Sequence, residues 1–90
     1  MRVHWAPVAL QDIARLHRFL VLRDPFAAGR LIPDVVAAGE GLAIFPARGR
    51  PASQPGYCEL VSGQYIVLYR IDTDAGLVEV VRVFHGREKR

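Results

Sequence analysis

The stretch on which the fold turns is "YIVLYRIDTDAGLVEVVRVFHGREKR", residues 65–90. Two apolar runs rich in β-branched and aromatic residues, "YIVLYRI" and "LVEVVRVF", flank the turn-forming "DTDAG", which reads as an antiparallel β-hairpin. Placing Ile71 opposite Leu77 across the turn sets a register, because side chains alternate between the two faces of a sheet. One face then holds Tyr65, Val67, Tyr69 and Ile71 with Leu77, Glu79, Val81 and Val83. The other holds Ile66, Leu68 and Arg70 with Val78, Val80, Arg82 and Phe84. Both faces are mostly apolar, so the sheet is expected to be covered on one side and partly sheltered on the other. The covering layer is expected over Val67 and Val81, since the opposite face carries both arginines. That opposite face becomes a groove floored by aliphatics and flanked by Arg70 and Arg82.

Working outward, "YCELV" precedes the hairpin and connects to it through "SGQ", giving three strands in succession. Before them lies the Pro/Gly/Arg loop "PARGRPASQPGY", too short for an interdomain linker. Earlier still, the period changes from two to about four. Ala9, Ile13, Leu16 and Leu20 recur at helical spacing, Pro7 suits a first helical turn, and Pro25 ends the run. A second stripe comprises Ala28, Leu31, Ile32, Val35, Val36, Leu42 and Phe45. The short gap at Asp24-Pro25 makes the two helices an antiparallel hairpin. Pro33 costs roughly 3 kcal/mol in a helix interior, and Gly39 and Gly41 up to about 1 kcal/mol each. A kink near Leu31–Ile32, two shorter helices, or a new helix starting at Pro33 is therefore expected. "RVHW" alternates like a half-buried strand. The expectation is a single α+β domain over residues 1–90 in two layers: an N-terminal strand, a helical hairpin and a three-stranded antiparallel meander.

Composition fits a small globular domain, with 51% hydrophobic and 23% charged residues in 90. The one cysteine, Cys58, forms no internal disulfide, and no Cys/His spacing matches a zinc site. Neither a cofactor nor a metal is expected. Arg2, Asp12, Arg15 and Arg18 interrupt the first twenty residues, which argues against a signal peptide or a membrane span and for a cytoplasmic protein. Charge is unevenly placed. Residues 1–81 hold equal numbers of basic and acidic side chains, so the formal net charge of +3 resides in residues 82–90, in Arg82, Arg87, Lys89 and Arg90 against Glu88.

In order and spacing these segments resemble the ParE/RelE superfamily of toxins from bacterial toxin–antitoxin modules, and the ParE branch most. The resemblance covers nearly the whole chain. "VHWAPVALQDIARLHRFL" is similar to the family's opening strand, small-residue/Pro pair and Ala/Asp-bearing helix; "AIFPARGRP" to its Gly-Arg exit from the second helix. "YIVLYRI" followed by "VEVVRVFHGREKR" is similar to its Tyr-Arg strand and Arg-Val-x-His-Gly-Arg ending. Two positions depart. Cys58 stands before Glu59-Leu60 where the family has an arginine, and Pro33 lies inside the second helix.

The resemblance implies the toxin of a type II, plasmid-stabilising module, held in check by a cognate ParD-like antitoxin and directed at DNA gyrase, which ParE toxins trap without breaking a bond. The implied contact residues are Arg70, Arg82, His85, Arg87, Lys89 and Arg90 with Ile66, Leu68, Val80 and Phe84. A RelE-like ribosome-dependent ribonuclease is the competing expectation, with His85, Arg87 and Arg82 as its catalytic groups. That chemistry is thinly provided for, since Ile66 stands where many ribonucleases of the family have an arginine. A degenerate member that only binds its partner is a third, and direct contact with nucleic acid stays open. Plainer roles stand beside these. Arg70 at a strand end pairs with a neighbouring carboxylate as readily as with a target. Tyr69 and Glu79 form a buried hydrogen bond in the register above. His4 and His17 are surface or core-edge residues, and Cys58 is a small inert hydrophobe.

Overall fold

The computed structural model describes residues 1–88. Strand β1 (Arg2–Trp5) leads into helices α1 (Pro7–Val21) and α2 (Pro25–Glu40), then two short 3-10 turns (Gly41–Ala43 and Pro46–Arg48). Four strands follow: β2 (Arg50–Pro51), β3 (Cys58–Ser62), β4 (Tyr65–Asp72) and β5 (Leu77–His85). The expected α+β order of strand, helical hairpin and meander is present. The sheet runs β1-β5-β4-β3-β2, with β1 parallel to β5 and the other pairings antiparallel. The two-residue β2 and the 3-10 turns were not legible in the Pro/Gly/Arg loop.

The helices begin where their punctuation says. Pro7 opens α1, and Asp24 caps α2, its Oδ1 accepting the N–H of Ala27 at 3.1 Å. Ala9, Ile13 and Leu16 from α1 meet Leu31, Val35 and Leu42 over Leu60, Val67, Tyr69, Val78, Val80 and Val83. The expected division of α2 at Pro33 does not occur. The helix is continuous from Pro25 to Glu40, with Pro33 on its exposed side. The second stripe is narrower than expected: Ile32, Val36 and Phe45 are exposed. Gly39 has a packing reason, since an added Cβ would run into the Trp5 ring.

The hairpin register needs correction. Asp72, not Ile71, faces Leu77, so Ile71 faces Val78, Arg70 faces Glu79 and Tyr69 faces Val80. The turn starts one residue later because Asp72 Oδ1 accepts the N–H of Ala75 at 3.0 Å, and Gly76 supplies the positive φ of 67° that closes the loop. A bulge between Leu68 and Tyr69 then restores the phase: Leu68 faces Arg82 and Val67 faces Val83. Val78 and Val80 therefore point into the core instead of the opposite face, while Leu77, Glu79 and Val81 leave it. The assignments of Val67, Tyr69, Val83, Arg82 and Phe84 stand because the slip and the bulge cancel beyond Val81. Tyr69 does not bond Glu79. Its hydroxyl donates to the Pro46 carbonyl at 2.7 Å and accepts the Gly49 N–H at 2.9 Å.

One carboxylate joins the layers. β1 ends after Trp5, and the last bond on that edge is from the Ala6 N–H to the Val80 carbonyl, 2.9 Å. Further along the same edge, Asp12 Oδ2 accepts the Val83 N–H at 2.9 Å and Arg82 Nε at 2.7 Å, and its Oδ1 accepts Arg82 Nη2 at 3.0 Å. Asp12 is only 4% exposed. Burial pushes its carboxyl up, but the Arg82 hydrogen bond, the Val83 N–H and the charges of Arg82 and Arg15 outweigh it and hold the pKa below the ordinary 3.8.

Two outcomes are expected from this architecture. Because the folded-state pKa of Asp12 is depressed, its stabilisation is complete above pH 3.8 and is lost as the pH falls through the lowered value. Asp12→Asn is therefore expected to unfold about 2 kcal/mol more easily than the parent at pH 7, in urea titrations, with the gap closing in acid; the figure sits below that for a fully buried pair because water reaches Arg82. Gly39→Ala, though it favours a helix locally, is expected to lower stability by about 1–3 kcal/mol in the same titration, because the Trp5 ring must give way.

Candidate functional site

The C-terminal turn of the described chain closes a cleft of about 590 Å³ against α1. Arg15, Leu16, Phe19 and Leu20 form the helical wall, Tyr65 comes from the start of β4, and His85, Arg87 and Glu88 form the opposite wall. Helical spacing puts residues 15, 16, 19 and 20 on one face of α1, and the docking of Asp12 onto β5 turns that face toward the sheet edge. Phe19 is 56% exposed, so the floor of the cleft is apolar and open to solvent. A second depression, lined by Phe26, Ala27 and Arg30 of α2 and by Gly63 and Gln64, shares Leu20 and Tyr65 with the first. The two adjoin as a channel with an apolar floor and a border of mixed charge. Arg15 and Arg87 with Glu88 lie on one side, and Asp24, Asp34 and Arg30 on the other, where Asp34 lies 3.5 Å from Arg30. Arg30 lies over the Phe26 ring at 5.8 Å, and Arg23 over Phe19 at 4.0 Å.

His85 sits at the end of this channel with both ring nitrogens engaged. Its Nδ1 accepts the Arg87 N–H at 3.1 Å, and its Nε2 lies 3.1 Å from Gln64 Oε1. An acceptor at Nδ1 and a donor at Nε2 together specify the neutral Nε2–H tautomer. Tyr65 meets the ring edge-on, centroids 5.7 Å apart. Histidine thus braces the turn. Glu88 accepts the His85 N–H at 2.8 Å and pairs with Arg15 at 3.2 Å. Arg87 lines the cleft, and among the described residues its guanidinium has no carboxylate partner.

The residues singled out from sequence are scattered by the fold. Of those among the described residues, only His85 and Arg87 line the cleft. Arg82 turns to Asp12, with its guanidinium 5.0 Å from the Phe84 ring. Arg70 lies toward the other end of β4, held by Glu79 at 3.0 Å and Asp72 at 3.7 Å, and Glu79 also takes His4 at 3.2 Å. Ile66, Leu68 and Phe84 share the face away from the helices and are buried there, while none of the three lines the cleft. Val80 is inside the core and cannot belong to that face. Lys89 and Arg90 lie outside the described residues. Cys58 faces Tyr69 across the β3–β4 ladder and packs against the core. Sequence reading missed Arg15, Phe19, Tyr65 and Glu88 as cleft residues. One signal was present: an aspartate beside Ile13 and within the apolar Ala9-Ile13-Leu16 stripe needs a buried partner, and Arg82 is it.

Comparison with known proteins agrees with this architecture. A family model described as the ParE toxin of the type II toxin–antitoxin system, parDE, matches residues 3–90. A putative toxin, Y4kP, of Sinorhizobium fredii is 33% identical over 98% of this chain and 91% of its own length. Toxin RelE1 of Caulobacter vibrioides is 38% identical over 91% of this chain and 89% of its own. Among solved structures, the chromosomal ParDE system of P. aeruginosa superposes with a TM-score of 0.82 at 20% identity, covering 94% of this chain and 95% of that one, and supports the fold alone. A chain of the RelBE2 toxin–antitoxin complex of Mycobacterium tuberculosis gives 0.69 at 28% identity, over 93% and 88%. With the family model spanning almost every residue and the strand–hairpin–meander order on the page, this chain belongs to the ParE toxin family of type II toxin–antitoxin systems.

Proposed function

We propose that the chain is a toxin that acts by binding, with DNA gyrase as its target and a ParD-like antitoxin as its silencer. The observation that carries the reading is the state of His85: both ring nitrogens are engaged in bracing the C-terminal turn, in a neutral tautomer. A general acid or base needs a ring nitrogen facing the substrate. Arg82 is likewise held by Asp12. The group left to act outward is the Arg87 guanidinium, which suits charge recognition on a partner. A target inside the cell puts the site of action in the cytoplasm, in keeping with the lack, among the described residues, of a helix long and apolar enough to cross a membrane.

The channel from Arg87 to Arg30 suits an antitoxin segment that folds on binding, its apolar side on Leu16, Phe19, Leu20 and Tyr65 and its acidic side toward the arginines. The Mycobacterium relative comes from a toxin–antitoxin complex, which supports the same expectation here. The Cys58 departure lies on the inner side of β3 beside Tyr69, away from this channel.

Purified chain is expected to inhibit supercoiling by gyrase and to leave messenger RNA intact in a translating extract, as read by gel and by primer extension. Uninhibited supercoiling together with new transcript ends at codon positions would replace this reading with the ribonuclease. Absence of growth arrest on induction would replace it with a non-toxic binding protein. Arg87→Ala is expected to lower growth-inhibitory potency about tenfold, a typical cost for a recognition cation, and to exceed the effect of His85→Ala at matched folded protein. The reverse order would favour acid/base chemistry.

A further inference from the structure

The final described turn is held more firmly than an exposed chain end requires. Glu88 Oε1 accepts the His85 N–H at 2.8 Å, and the Glu88 N–H donates to the His85 carbonyl at 2.9 Å. Its Oε2 lies 3.2 Å from Arg15 Nη2 on α1. Between these contacts the Gly86 N–H donates to the Gln64 carbonyl at 2.7 Å and the Arg87 N–H to His85 Nδ1 at 3.1 Å. Residue 87 is thus enclosed in a loop fastened on one side to α1 and on the other to the β3–β4 turn.

Arg15 is itself aimed, because Asp12 Oδ1 lies 3.7 Å from its Nη2. Four charges of alternating sign, Arg82, Asp12, Arg15 and Glu88, run from the anchored edge of β5 to this turn. The Arg15 and Glu88 side chains are 46% and 31% exposed, and solvent-exposed ion pairs contribute little to global stability. Stability is therefore a poor explanation for the last pair. Geometry is a better one: without Glu88 on Arg15, the loop that carries Arg87 loses its only side-chain tie to α1 among the described residues.

We infer that Arg15 and Glu88 form an electrostatic latch whose task is to position Arg87 for recognition. The inference rests on the reading of Arg87 as the recognition cation. Arg15 and Glu88 act through it as positioning residues and need not touch the target. The latch also weakens with ionic strength, as an exposed pair must.

The test uses the full chain in five forms: the parent, Glu88→Ala, Arg15→Ala, the double variant and Arg15→Lys. Potency is read as growth arrest at matched folded protein, which does not depend on the identity of the target, and loop order as amide hydrogen exchange at His85 and Arg87. Each single alanine variant is expected to speed exchange at Arg87 and to lower potency about tenfold, with the double no worse than the weaker single, as for groups that act as one unit. Arg15→Lys, which keeps the cation, is expected to hold potency within about twofold, and melting temperatures to move by no more than about 4 °C. Unchanged exchange and potency in Glu88→Ala would overturn the latch while leaving the recognition role of Arg87 standing. Additive losses in the double variant would overturn it as well. Full potency in Arg87→Ala, measured alongside, would overturn the inference through its premise, and it is a different result from either of the others.

Discussion

The whole molecule depends on one carboxylate on the open edge of its longest strand. β5 spans Leu77–His85, but β1 pairs only with its first four residues, Leu77 to Val80. Past Val80 the edge offers backbone donors with no strand to receive them, and a buried unpaired N–H costs about as much as a lost hydrogen bond. Asp12 takes the place of the missing strand at Val83 and draws in the neighbouring Arg82 with both oxygens. The same contact ties α1 to the sheet at a defined angle and height. The bulge at Val81 falls at this point, so the strand changes phase where the helix replaces its neighbour. Were α1 to dock elsewhere, Leu16, Phe19 and Leu20 would not face Tyr65 and there would be no cleft.

That anchor also sorts the arginines. The chain has a large cationic surplus at its C-terminal end, yet the surplus is not distributed evenly over the surface. Arg82 is neutralised by Asp12, Arg15 by Glu88, and Arg70 by Glu79 and Asp72. Arg50 is paired with Glu59 on the far edge. Beside the channel Arg30 pairs with Asp34 and Arg23 donates to the Phe19 carbonyl, which leaves Arg87 as the channel arginine without a side-chain acceptor among the described residues. The proposed binding role would benefit from this arrangement, because an isolated, positioned cation discriminates between partners better than a diffuse positive field. Holding His85 in one tautomer serves the same end. Its ring braces the turn through Gln64 and the Arg87 N–H.

Much of the fold was readable from local pattern. The apolar period of α1, the Pro-flanked helix starts and the Gly-closed turns all act within a few residues, so their physics is contained in short windows. Errors arose where two local rules competed. At the last hairpin the side chain of Asp72 captured the turn and moved the register by one, and the bulge opposite Leu68 and Tyr69 put the phase back. Pro33 argued for a break in α2, but burial of Leu31 and Val35 on either side keeps the helix whole. Gly39, which reads as a flaw in a helix, is the space the Trp5 ring occupies.

The candidate site was the least legible part. Amino-acid order alone established an α+β domain, the helical hairpin, the inward-facing half of β4 and the concentration of positive charge at residues 82–90, because each follows from spacing, composition or near-neighbour geometry. The order of its motifs also carried the resemblance to the ParE/RelE toxins. Which arginines stay free and where an apolar surface stays open were decided by contacts across more than sixty residues of chain, such as Asp12 with Arg82 and Arg15 with Glu88. Those pairings depend on how far a helix slides along a sheet, and that distance is set by the packing of the whole core and by no window of sequence.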